Sequence, residues 1–116
     1  MKPVYQTNFG TDGNCLQACV ASVLEVPLTE VPYFTQAGQF LQLDRFMRTY
    51  GIGVVALEKD KAVIPYNAYY LMWGTTPRGF RHSVVGLNGK VAHDPFPNAT
   101  DLVSIEQYVL FVGFAI

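Results

Sequence analysis

Cysteine and histidine are the side chains best suited to nucleophilic and proton-transfer chemistry near neutral pH, and the chain has two of each: Cys15, Cys19, His82 and His93. Cys15 follows the loop-like stretch Phe9-Gly10-Thr11-Asp12-Gly13-Asn14 and opens an apolar run that reads as a buried helix. A thiol at a helix start feels the positive end of the helix dipole and unpaired backbone N–H groups, which favour the thiolate nucleophile. Cys19 lies one turn deeper and reads as a buried structural thiol. His82 begins a strand directly after a glycine-containing loop, a position from which catalytic groups often project, and imidazole is the usual base for a thiol. Asp94, or alternatively His93, could hold the far ring nitrogen of His82 and fix its tautomer.

The strand–turn–strand pattern from His82 to His93, with Asn88-Gly89 at its turn, is the clearest local signal in the chain. Its register decides which residue orients His82. A strict two-residue turn pairs Val84 with His93 and points Asp94 away. One extra residue pairs Val84 with Asp94 and brings the carboxylate to the His82 side. A triad of Cys15, His82 and Asp94 therefore requires a bulge or strong twist in this hairpin.

Acyl transfer also needs a donor for the oxyanion. The Cys15 backbone N–H is one candidate and Gln6 the best side-chain candidate, with Asn8 and Asn14 as competitors. Trp73, Arg78 and Arg81 are candidate substrate-binding residues, the arginines for an acidic group or a C-terminal carboxylate. Zinc is disfavoured by spacing, because neither a two-residue cysteine gap nor paired histidines three to five apart occur. A disulfide between residues four apart on a helix would be strained, so free thiols are expected.

The elements that must position these groups follow from pattern. A helix runs from Cys15 to about Glu25, started by Asn14 with Gln17 as a capping box and closed by Pro27. Thr29 opens a short helical turn. A second helix spans about Gln39 to Tyr50, with Phe40, Leu43, Phe46, Met47 and Tyr50 on one face and Gly51 as its stop. Strands follow at 52–57, 62–64 and 68–73, then a loop over 74–81, then the hairpin. Residues 102–108 are ambiguous, with a helical turn as the reading, and 109–114 form a closing strand. Helices first and an antiparallel sheet afterwards make an α+β fold.

The 116 residues hold one domain, 1–116. Half the residues are hydrophobic and the net charge is −1, which supports a packed core and gives no electrostatic case for nucleic acid or an anionic membrane. No secretory signal or membrane-length apolar run is evident, so a cytoplasmic location is expected.

Taken in order, the stretch Asp12-Gly13-Asn14-Cys15-Leu16-Gln17-Ala18-Cys19-Val20 resembles the nucleophile helix of papain-like cysteine peptidases, nearest the bacteriocin-leader-processing branch. His82-Ser83-Val84-Val85 and the later Asp94-Pro95 are similar to that branch's histidine strand and Asp-Pro, and the layout looks like small standalone bacterial or phage proteins. Leu16 stands where that family has a glycine, and Gln6 lies nine residues before Cys15 where the family's glutamine lies about six before. The resemblance implies a papain-like fold, with Cys15 as nucleophile, His82 as base and Asp94 as orienting acid. It further implies a cysteine hydrolase that cleaves a peptide, isopeptide or related amide bond of a peptide or protein substrate, without cofactor. A catalytically silent binding module and an acyl transferase with the same Cys–His pair are the alternatives.

Overall fold

The computed structural model describes residues 1–77, 79–97, 102 and 104–113. Two helices, α1 (Cys15–Leu24) and α2 (Gln39–Arg48), precede five strands: β1 (Ile52–Glu58), β2 (Tyr69–Thr75), β3 (Arg81–Leu87), β4 (Lys90–His93) and β5 (Ser104–Gly113). The strands form one sheet in the order β1-β5-β2-β3-β4, and every pairing is antiparallel. The fold is thus α+β, with α1 packed on β3 and α2 on β1.

One face of the sheet and both helices enclose the main core, which includes Leu16, Cys19, Val20, Leu43, Met47, Leu71, Val85 and Val109. The expected apolar face of α2 is narrower than its pattern suggests. Leu43 and Met47 are fully buried, but Phe40 in the first turn is exposed, and so is Tyr50, because the helix stops at Arg48, two residues short of the expected end. α1 is buried on almost all sides. Even Ala21 and Ser22 are covered, because the N-terminal segment crosses there: Lys2 N–H donates to Ser22 O and Val4 N–H to Ser22 Oγ.

Two strand expectations need correction. Residues 62–64 form no strand. Ile64 instead covers a second apolar cluster on the other sheet face, with Tyr70, Met72, Val84, Leu102, Ile105, Tyr108 and Leu110. Residues 104–108 are not helical but belong to the long strand β5. Their alternation is broken because β5 carries a bulge: Trp73 pairs with Gln107 and Gly74 with Ile105, so Glu106 is skipped. The last expected strand residue, Phe114, lies outside the described residues. At this bulge a Cβ on Gly74 would sit 1.8 Å from the Ser104 carbonyl oxygen, so only glycine permits the close approach. No helix among the described residues is long and apolar enough to cross a membrane.

Candidate active site

α1 carries Cys15 at its first position. The expected capping box is absent: no side chain caps the helix start. Asn14 instead turns its side chain back onto the preceding loop, where Oδ1 accepts from the Thr7 and Asn8 backbone N–H groups and Nδ2 donates to Thr7 Oγ1 and Gln17 Oε1. Gln17 Nε2 donates to the Leu28 and Val31 carbonyls, tying α1 to the short 3-10 turn Leu28–Glu30. A cap would have consumed an amide of the first turn. Its absence leaves the electropositive helix start facing Cys15 without a competing side-chain oxygen.

β3 carries His82 and the segment after β4 carries Asp94. The hairpin joins them by combining both of the registers considered above. Asn88 and Gly89 have φ of 51° and 82°, the left-handed pair that a tight two-residue hairpin turn demands, and Leu87 pairs with Lys90. The register then shifts: Gly86 pairs with Val91 but Val85 with His93, leaving Ala92 unpaired. The bulge lies inside β4 rather than in the turn. It rotates Asp94 to the side of His82, and His82 Nε2 meets Asp94 Oδ1 at 2.7 Å. The same oxygen accepts from Phe96 N–H at 2.9 Å, which fixes the carboxylate. Both side chains are nearly sealed from solvent, at 4% and 5% exposure. His93 is occupied elsewhere: its Nε2 donates to Val4 O at 2.7 Å and its ring meets Tyr5 edge-on.

With Nε2 given to Asp94, Cys15 is the second group that acts on the His82 imidazole. Burial pulls the imidazole pKa down, but the hydrogen bond to Asp94 and then the one to Cys15 outweigh it and raise the pKa from 6.5 to about 9. Cys19 is different in kind. It is fully buried, its Sγ donates to Ser83 O at 3.2 Å, and burial above all raises its pKa well beyond the usual thiol value. Both cysteines are free. Among the described residues no three His, Cys, Asp or Glu side chains gather in the way a metal ion requires.

Cys15 and His82 open onto a cleft of about 210 Å³, walled by Gly10, Gly13 and Gln39 on one side and by Trp73, Ser83 and Gln107 of the sheet on the other. Arg81 also lines it, ion-paired with Glu106 at 3.0 Å. Arg78 lies outside the described residues. Gln6 is buried; its Nε2 donates to Asn8 O, and it borders Gly13 rather than the cleft itself. Its backbone N–H donates to Pro95 O, linking the loop before Cys15 to the segment that holds Asp94.

Cys15, His82, Trp73 and Arg81, chosen from sequence, therefore share one cleft, and Asp94 stands behind His82. Ser83, Gln39 and Gln107 were not anticipated. Gln107 was hidden by the phase break in β5, and nothing in the local pattern marks Gln39. Ser83 adjoins His82 in sequence, and its cross-strand pairing with Trp73 is the clue. No family model matches the chain, and neither a curated protein nor a solved structure matches it.

Proposed function

We propose that this protein is a cysteine hydrolase with a papain-like arrangement, acting on an amide bond of a peptide or protein. The observation that carries the reading is the setting of His82, held through Nε2 by a buried carboxylate and sharing a cleft with the helix-start Cys15, which also acts on the imidazole. A structural histidine would need only one of these partners.

An imidazole pKa of about 9 means that His82 is protonated at neutral pH. In the proposed reaction Cys15 attacks as a thiolate beside the protonated His82. Cys15 Sγ attacks the carbonyl carbon, and the electron pair moves to the oxygen. First-turn N–H groups of α1 stabilise that oxyanion, since no side chain competes for them. As the tetrahedral centre collapses, the C–N bond breaks and His82 gives its proton to the leaving amine. Water then attacks the thioester while His82 takes a proton from it. The C–S bond breaks, the acid leaves, and the ion pair is restored. Gln6 joins the oxyanion donors only if its Nε2 leaves Asn8 O; while bonded there it braces the loop.

A simple activated ester tests this reading. 4-Nitrophenyl acetate should give a burst of nitrophenolate, one acetyl per chain, mapped to Cys15 by mass spectrometry. His82→Ala should abolish the burst, and Cys19→Ala should keep it. A chain that binds proteins without catalysis gives no burst. A transferase gives amide product when a primary amine is added during turnover.

A further inference from the structure

The two edges of the sheet are finished differently. β4 is four residues long, begins with Lys90 and is bulged at Ala92. The N-terminal segment also ties down the chain just beyond it, through Gln6 N–H to Pro95 O. A short strand, a charge, a bulge and a covering segment are the devices that keep an edge from pairing with another chain. β1 has none of them inside its span. Its seven residues contain no proline, lysine or arginine, its one charged residue, Glu58, stands at the end, and its register with β5 is unbroken.

One bond fixes the direction of its backbone groups. Lys59 N–H donates to Glu106 O, so residue 59 faces β5, and by alternation Leu57, Val55 and Gly53 do the same. The N–H and C=O groups of Ile52, Val54, Ala56 and Glu58 therefore point away from the sheet. No described residue bonds to those of Ile52, Val54 or Ala56. Glu58 O accepts from Lys61 N–H and keeps a second lone pair. An apolar surface runs up to this row. α2 covers one face of β1, but on the other Val55 and Val112 are 43% and 46% exposed. The pairings Gly53–Val112 and Val55–Leu110 put these side chains on one side, and Leu110 joins them to the second apolar cluster.

We propose that β1 pairs with β1 of a second copy of this chain, antiparallel about a two-fold axis at Val55, so that the two sheets become one. The strand itself selects this occupant and this register. Outward-facing residues must meet outward-facing residues, and the axis at Val55 matches all of them: Val54 with Ala56 and Ile52 with Glu58, each in both directions. A parallel alignment would set the two Glu58 carboxylates side by side, whereas about this axis each meets Ile52. Val55 faces the second copy's Val55 in the close, non-hydrogen-bonded position, and the two Val55–Val112 patches merge. The contact uses neither Cys15 nor His82, so it stands independently of the hydrolase reading.

Analytical ultracentrifugation of the full chain between ~1 μM and ~1 mM tests the contact. The wild type should reach twice the chain mass at the top of that range and dissociate on dilution. Val55→Lys sets like charges against each other at the axis and should weaken self-association by about tenfold or more. Val55→Glu should do the same. Val55 is exposed, so both variants should keep the wild-type circular dichroism. Mixing them should restore the dimer, because opposite charges then meet at the axis. Val91→Lys, at an exposed apolar position on the other edge, should leave the dimer intact. A wild type that stays monomeric throughout, a dimer that survives Val55→Lys, one that Val91→Lys abolishes, or charge variants that fail to associate when mixed overturns the proposal.

Discussion

The buried His82–Asp94 pair makes stability depend on pH in a direction that can be worked out. A histidine whose pKa is higher folded than unfolded binds its proton more tightly in the native state. Its contribution is complete below the unfolded value of 6.5 and disappears as pH rises through the folded value of about 9. The interval between those values corresponds to about 3 kcal/mol. His82 is almost fully enclosed, so solvent screening removes little of this. Urea denaturation at pH 6 and at pH 9.5 should therefore show a loss of about 3 kcal/mol, or ~1–3 M in the midpoint for ordinary urea slopes. Other groups titrate in the same window, so the measurement is the difference between the wild type and His82→Gln. The variant should lose about 3 kcal/mol less over that span. Titration of the His82 ring signal by NMR gives the native value directly. Equal losses in the two proteins, or a ring midpoint at or below 6.5, would refute the reasoning.

Asp94→Asn keeps an oxygen for the His82 and Phe96 N–H groups but removes the charge. The fold should persist while the His82 NMR midpoint falls, and Asp94→Ala should cost a further ~1–3 kcal/mol by urea denaturation. Gly74→Ala drives a methyl group into the Ser104 carbonyl, so it should lower stability by about 1–3 kcal/mol or more, read from the thermal midpoint. Asn14→Ala removes the bonds that fold the 7–14 loop against α1, and should cost ~1–3 kcal/mol and slow Cys15 acylation together. Loss of stability with an unchanged acylation rate would show that the loop does not position the sulfur.

The parts of this site that depend on short-range signals were legible in the sequence. Cys15 follows a glycine-rich loop and heads an apolar helix, and Asn88-Gly89 announces its hairpin. The need for a bulge to bring Asp94 beside His82 followed from strand alternation alone. Its place, at Ala92 rather than in the turn, did not, because either site serves the same end and only packing selects between them. Asn14 looked like a cap because its type and spacing fit one. A long-range choice prevailed, in which its amide orders the 7–14 loop. The bulge at Glu106 scrambled the alternation of β5, which hid both the strand and the cleft residue Gln107. Ile64 was mistaken for part of a strand because apolar residues that cover a sheet and those that form one look alike over three positions.

The central claim is that Cys15 is an activated nucleophile next to a protonated His82, and alkylation by iodoacetamide near pH 6.5 tests it most directly. Peptide mapping should find the adduct on Cys15 and none on the enclosed Cys19. Its rate should exceed that of a free peptide thiol by about tenfold or more and fall to the peptide rate in His82→Ala. Labelling of Cys15 no faster than the peptide, or at the same rate with and without His82, would contradict it.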